Sequence, residues 1–385
     1  MYFQLYLHFP FCKRKCLYCD FCSAAERPET IAAYCDALQK EIRLMAEIYR
    51  GAKISTIFLG GGTPTLVPPE QLAGVLDTIR SSFDVVPDAE FTSEGNPGTL
   101  TGEWLDAAVK RGLNRLSLGV QAGQDHLLKK IGRIHTAKDA ETAVKLARSC
   151  GVKNLNLDAM FGLPGQTEQD YLDTLRFFEQ LGAQHISAYS LILEEGTPLY
   201  RMAENGDIHL PDEDTTASMY EHGIEWLERA GYRRYEVSNF ARPGFECRHN
   251  IGYWQGEWYL GLGVAAHSML PPEKEGAFCL RKGNACNVQA YIRAMQDGQK
   301  APAEEFEHIS PEDAMFETVM LGLRMVAGVD ERRFAERYGI ALRQKYAMQT
   351  ESLIRDGLGY WQGGRFALTP RGIEMQNDVL MRFME

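Results

Sequence analysis

Short apolar runs alternate, along the first 240 residues, with stretches whose apolar positions recur every three to four residues. The runs Phe3–Phe9, Ile54–Leu59, Ala89–Ser93, Arg115–Val120, Asn154–Met160 and His185–Leu191 are rich in apolar or β-branched residues and read as strands. A polar or glycine-bearing turn closes each one, and a helical pattern follows. Pro28 leads into Tyr34, Leu38, Ile42 and Met45, and Thr167 leads into Tyr171, Leu172, Leu175 and Phe178. Six strand-then-helix units predict an α/β fold with parallel strands and right-handed crossovers. Six is fewer than the eight of a closed (β/α)8 barrel, so the expected core, 1–240, is an open, partial, TIM-like (β/α)6 barrel.

Past residue 240 the rhythm stops. The glycine- and aromatic-rich stretch RHNIGYWQGEWYLGLGVAAHS opens a connecting segment, 241–300, that ends near the proline-bearing Lys300–Ala303. From Ser310 two or three amphipathic helices are expected, carrying Met315, Val319 and Leu323, then Phe334 and Tyr338. A two-stranded wing, Gly359–Trp361 and Arg365–Thr369 across Gly363-Gly364, completes a winged-helix-like domain, 301–385. Such a layout suits DNA reading only with a basic face. From residue 300 onward eleven Lys and Arg stand against fourteen Asp and Glu, so a lid or a protein-facing surface is expected instead.

The whole chain carries a formal charge of −11 over 385 residues, which also argues against a nucleic-acid partner. No run of about 18 apolar residues occurs, and the apolar start is interrupted by His8 and Pro10, so neither a spanning helix nor a secretory signal is expected. A cytoplasmic address follows. Nine cysteines, an odd number, are too sparse for a disulfide framework, and in a reducing compartment clustered thiols read as metal-binding or catalytic.

Four of the nine crowd the loop after the first strand, in HFPFCKRKCLYCDFCSAA: Cys12, Cys16, Cys19 and Cys22. Four thiolates suit a tetrahedral zinc, and a zinc-stabilised binding protein is one reading. Two features favour iron and sulfur. The loop lies at the C-terminal edge of the first strand, where barrel-like α/β folds carry their chemistry. The spacing Cys12-x3-Cys16-x2-Cys19 suits three corners of an iron–sulfur cube, leaving one iron open to a chelating cofactor. Lys13, Arg14 and Lys15 either offset the negative charge of such a cluster or form a solvated run. Cys35, Cys150, Cys279 and Cys286 read as ordinary buried thiols, and Cys22 has no assigned role.

C-x3-C-x2-C after a first strand resembles the radical S-adenosylmethionine (radical SAM) superfamily, and later strand ends carry matching groups. In that resemblance Gly61, Gly62 and Thr63 of LGGGTPT bind the methionine amino group, and Glu94 of SEGNP meets the ribose or an amine. Gln121 of SLGVQ, Arg133 of IGRIH and Asp158 of LDAMFGLPGQT complete the rim, with the Arg133 guanidinium matched to the cofactor carboxylate. The implied cofactors are a [4Fe-4S] cluster and S-adenosylmethionine.

YLHFPFC, GGGTPT, LGVQ and GLPGQT together resemble the oxygen-independent coproporphyrinogen III oxidase family over essentially the whole chain, which adds Tyr6 beside the cofactor. Oxidases of that family carry a further cysteine two positions after the third, where this chain has Phe21, and an N-terminal extension that this sequence does not show. YCDF and HNIGYW resemble instead the heme-chaperone branch. That branch implies heme as a ligand, a heme-accepting protein such as a respiratory enzyme as partner, and no conversion of coproporphyrinogen. His249, Asn250, Tyr253 and Trp254 are the heme candidates: imidazole ligates heme iron and aromatic rings cover a porphyrin face. Cys247 is an alternative thiolate ligand. Oxidase chemistry stays the alternative function, and the sequence fixes neither the acceptor nor the oligomeric state.

Overall fold

The computed structural model describes residues 1–384. Six parallel strands run side by side in chain order: β1 (Tyr2–Phe9), β2 (Lys53–Gly61), β3 (Asp84–Gly95), β4 (Arg115–Gln121), β5 (Asn154–Phe161) and β6 (His185–Ser190). Their pairing is parallel throughout, so every C-terminal end lies on one edge. The helices between them read as expected. Pro28–Ile48 opens on a proline at its first turn, and Glu168–Gln180 opens on a capping box in which Thr167 and Asp170 satisfy each other's backbone.

Strand alternation sorts the side chains. Leu5, Leu7, Ile57, Leu59, Leu116, Leu118, Leu155 and Leu157 are buried under the helices in one large core. The intervening positions are polar: Ser117 and Gln121 on β4, Asn156 and Asp158 on β5, Ser187 and Tyr189 on β6. These face a cavity inside the curved sheet. An open barrel lined this way holds space where a closed barrel holds packed aliphatic layers.

The six strands are half of a continuous sheet. Beyond β6 come two short antiparallel strands, β7 (Arg233–Arg234) and β8 (Asn239–Ala241). On the other edge β9 (Tyr259–Leu262) pairs parallel to β1, followed by antiparallel β10 (His267–Leu270), β11 (Cys279–Asn284) and β12 (Ala303–Ile309), for twelve strands in all. The segment 241–300 is therefore part of the sheet as well as a connection. Glu41, from the first long helix, ties it down: its buried carboxylate accepts from Gly263 N at 2.7 Å, Tyr291 Oη at 2.7 Å and Asn284 Nδ2 at 3.3 Å.

The C-terminal region has a core of its own around Leu323, Phe334, Leu353, Phe366 and Val379. A three-stranded sheet forms its wing, from β13 (Val329–Asp330), β14 (Gly359–Gln362) and β15 (Arg365–Leu368), in the order β13-β15-β14. Among the described residues six helices surround it rather than two or three. The sequence pattern merges them because the breaks are local: Gly339, at φ +71°, ends Glu331–Tyr338, and Leu342–Lys345 is only four residues long.

Candidate functional site

The loop after β1 closes on itself. Cys12 N donates to Ala24 O at 2.9 Å and Ala24 N to Pro10 O at 3.0 Å, so Cys12, Cys16 and Cys19 project from a fixed base. Gly62 seats that base on β2: its N–H reaches Phe9 O at 2.8 Å, and a Cβ there would meet Phe11 O at 2.6 Å. Gly61, at φ +101°, lies against the His8 ring and admits no side chain either.

All three thiols open onto one cavity of about 510 Å³, which runs from the loop past the strand ends into the barrel. Gly61, Gly62, Thr63, Glu94, Gln121, Arg133 and Asp158 line it too, so the structure brings together the rim residues expected from sequence. Thr63 Oγ1 lies 3.6 Å from Cys12 Sγ and accepts from Asn96 Nδ2 at 2.8 Å. Arg133 Nη1 is 3.4 Å from Cys16 Sγ, its Nη2 bonds Asn96 and the Gly119 carbonyl, and its buried Nε has no partner in the protein. Gln121, at φ +72°, accepts from Tyr189 Oη at 2.9 Å, a backbone conformation uncommon outside glycine and frequent at functional sites.

The acids of the cavity resist ionisation. Burial, then the neighbouring Asp158, pushes Glu94 up to about 8, against a hydrogen bond from Gly61 N at 3.2 Å. Burial likewise raises Asp158, whose Oδ1 accepts from Asn156 Nδ2 at 2.6 Å. Tyr6 lies alongside, raised by burial and then by Glu94, and its hydroxyl is 3.2 Å from His8 Nδ1. His8 Nε2 bonds the Cys22 carbonyl at 3.0 Å, so Nε2 carries the proton and Nδ1 accepts from Tyr6.

Cys22 is not a fourth member of the thiol set. It forms a disulfide with Cys286, 264 residues away, which sits exposed between β11 and the helix Val288–Gln296. This corrects the reading of Cys286 as a buried thiol and removes Cys22 from the four-thiolate zinc reading. Among the described residues, no three His, Cys, Asp or Glu side chains converge closely enough for a single ion. A cube spreads its sulfurs over several irons, so three free thiols around an open cavity, next to a guanidinium with an orphaned N–H, fit a cluster and a carboxylate-bearing cofactor.

The heme candidates share one helix, Arg248–Trp254, and take three different environments. Glu90 of β3 holds its start, accepting from Arg248 N at 2.9 Å and His249 N at 3.0 Å. His249 is buried, with Nδ1 2.7 Å from Thr56 Oγ1 and Nε2 3.0 Å from Tyr253 Oη, and burial drives it down to about 3. Asn250 reaches the barrel cavity. Trp254 lines a second cavity, of about 270 Å³, between the sheet and the C-terminal domain, facing Met325, Val329 and Phe334; its buried Nε1–H has no partner. Cys247 is fully buried beside Glu90, pushed up to about 12, and stays a thiol.

Sequence reading missed Asn96, which bridges Thr63 and Arg133, and the inner wall of Ser117, Asn156 and Ser187. The signal was present as strand alternation: Asn156 stands two positions before Asp158 on β5, and Ser117 four positions before Gln121 on β4.

A parallel six-strand core with three thiols and a cofactor rim at its C-terminal edge defines a radical SAM protein, whose cofactors are a [4Fe-4S] cluster and S-adenosylmethionine. The radical SAM superfamily profile matches residues 6–178, and the HemN C-terminal domain profile matches 309–375. The chain is 37% identical to heme chaperone HemW of Bacillus subtilis over 98% of both proteins. It is 36% identical to heme chaperone HemW of Lactococcus lactis over 98% of this chain and 96% of that one. The chain belongs to the HemW family. The solved structure of Escherichia coli coproporphyrinogen III oxidase (HemN) has the same fold, with a TM-score of 0.83 at 23% identity, covering 99% of this chain and 89% of that one.

Proposed function

We propose that this protein binds heme and hands it to an acceptor protein, and that the cluster and S-adenosylmethionine occupy the barrel cavity beside the heme-carrying helix. The observation that carries the reading is the position of Arg248–Trp254. Asn250 touches the barrel cavity and Trp254 the interdomain cavity, so one short helix is the wall between a cofactor chamber and a groove that sets Trp254 and Phe334 among charged side chains. The likeness to the HemW chaperones spans both.

Cys12, Cys16 and Cys19 hold the cluster. Bound there, it supplies an electron and one open iron for the cofactor's amino-acid end. Gly61, Gly62 and Thr63 receive the amino group, Arg133 the carboxylate, and Tyr6, Glu94, Gln121 and Asp158 the remainder of the rim. Heme packs against Trp254 from the groove. His249 becomes an iron ligand only after its Nε2 leaves Tyr253 Oη, so ligation opens a closed hydrogen-bonded pair. The acceptor is a cytosolic or membrane-associated heme enzyme, such as a respiratory one, and the site of action is the cytoplasm. No helix is long and apolar enough to cross a membrane among the described residues.

The test is anaerobic reconstitution followed by hemin titration and, separately, incubation with coproporphyrinogen, S-adenosylmethionine and reductant. Stoichiometric heme uptake without decarboxylation is expected. His249→Ala should alter the Soret band and the axial-ligand signature, Trp254→Ala should weaken binding without changing that signature, and Tyr253→Phe should speed ligation by freeing Nε2. Efficient decarboxylation of coproporphyrinogen would replace this reading with the oxidase one.

A further inference from the structure

A second guanidinium on the cavity wall has no part in the function above. Arg115 opens β4, on the same face of that strand as Ser117 and Gln121 but at the end away from the rim. It is 2% exposed, yet it lines the barrel cavity that the three thiols enter. A strand rises by about 3.3 Å per residue, so the backbone of Arg115 lies about 20 Å below that of Gln121.

The protein leaves this cation without a partner. Its buried Nε–H has no acceptor. Cys247, Glu90, Tyr235 and Asp158 are the titratable groups that face it, and each is engaged elsewhere or uncharged. Glu90 accepts from Arg248 N, His249 N and the Cys247 thiol. Asp158 accepts from Asn156 Nδ2 at 2.6 Å, and Tyr235 Oη pairs with His185 Nε2 at 2.8 Å. The wall above is closed upon itself: Asn156 Nδ2 also reaches Ser117 Oγ at 2.7 Å, and its Oδ1 accepts from Ser187 Oγ at 3.1 Å. Thr92 on β3 and Asn154 on β5, the neighbours that flank Arg115 across the sheet, add two more buried oxygens without partners. A fixed cation and unused polar atoms therefore share the floor of the barrel. Burying a cation is costly unless a counter-charge meets it, and here a ligand has to supply that charge.

S-adenosylmethionine cannot supply it as well. The cofactor has a single carboxylate, and Arg133 at the rim is matched to it, so a guanidinium at the opposite end calls for a second molecule. We infer that Arg115 anchors a second subsite in the barrel, which holds the carboxylate of another ligand while S-adenosylmethionine occupies the rim. The inference rests on that placement of the cofactor. A guanidinium fork fits a carboxylate in two parallel bonds, and its one positive charge balances one negative. A phosphate dianion would bring an uncompensated charge into a chamber already lined by Glu94 and Asp158. The remainder of the ligand then lies between floor and rim, facing the cofactor. A free organic acid and a heme propionate offer the same group.

The test uses cluster-reconstituted protein saturated with S-adenosylmethionine, as wild type, Arg115→Met and Arg115→Lys. Propionate, succinate and glutarate are the probes, with propionamide, phosphate and chloride as controls, read by saturation-transfer NMR and by thermal midpoint. The acids should bind wild type and raise its midpoint, and the controls should not. Arg115→Met should weaken that binding at least tenfold, with partial recovery in Arg115→Lys. Without any acid Arg115→Met should melt no lower than wild type, since it removes an unpaired buried cation. Displacement of propionate by hemin but not by its dimethyl ester assigns the subsite to a heme propionate; no displacement by either assigns it to a free acid. Absence of acid binding to wild type overturns the inference, as does equal binding by Arg115→Met or by phosphate. A lower midpoint in both variants without acid makes Arg115 a structural counterion of Glu90 and overturns it too. A wild-type cluster spectrum that ignores S-adenosylmethionine overturns the placement of the cofactor instead, whatever the acids do.

Discussion

Glu94 shows how a single side chain on the cavity wall sets a property of the whole chain. Its carboxyl is held up to about 8 by burial against an ordinary value of 4.5, so between those values the native state keeps a proton that the unfolded chain has released. The group's contribution to stability is therefore fully present below 4.5 and is lost as the pH rises through about 8. Each unit of such a difference corresponds to about 1.4 kcal/mol. Glu94→Gln in the cofactor-free protein should lessen the fall in thermal midpoint across that interval, read by calorimetry at a series of pH values; an unchanged slope would place the relevant titration elsewhere. Residues of this kind were legible in the sequence because each stands at a strand end beside a glycine or a turn. Asn96 was not, since it sits one step beyond the strand that carries Glu94 and reads as a turn residue. His249 was legible as a histidine among aromatics, but its two hydrogen bonds, to Thr56 from β2 and to Tyr253, join residues that no local pattern relates.

Among the elements, the helix Arg248–Trp254 depends most on distant groups. At seven residues it is too short to persist alone, and its first N–H groups are satisfied by Glu90 rather than by a cap from its own chain neighbours. Gln4 adds a bond to His249 O at 3.0 Å, and Gly252 leaves room for the Gln4 side chain, which a Cβ would meet at 2.1 Å. Glu90→Ala strands buried donors and should cost about 1–3 kcal/mol in denaturant unfolding. Glu90→Gln keeps one acceptor oxygen and should cost less. Both should shift tryptophan emission, because Trp254 is carried by the same helix; full stability in the alanine variant would show that the helix is held by packing instead. The six parallel strands were readable because each is a compact apolar run followed by a helical period. β9 to β12 were not, since Tyr259–Leu262 is four residues within a glycine-rich stretch and becomes a strand only by pairing with β1 on one side and β10 on the other.

At the scale of the molecule, the large core and the core of the C-terminal domain meet at a seam that touches the helix Arg248–Trp254 at its end. The C-terminal domain grips the residues just past Trp254: Arg333 pairs with Gln255 and Glu257, and Arg337 bonds Gly256 O while lying 5.5 Å from the Trp258 ring and 5.0 Å from that of Phe278. Tyr338 adds a ring contact with Phe278 at 4.9 Å. Arg281 adds an ion pair with Glu317 at 2.7 Å, and Met269, Cys279, Ile309 and Ala314 bury a small apolar cluster at the same junction; a cation over an aromatic face is worth about 0.5–2 kcal/mol. Replacing Arg333 and Arg337 together by alanine should therefore loosen the domain without unfolding either core. Because Phe334 and Met325 form the far wall of the cavity against Trp254, the same variant should bind heme more weakly, and with the proposed barrel seat for S-adenosylmethionine its response to that cofactor should stay as in wild type. Equal loss of both would mean that the two cavities are not independent sites joined by one helix, and heme would then have to be sought inside the barrel.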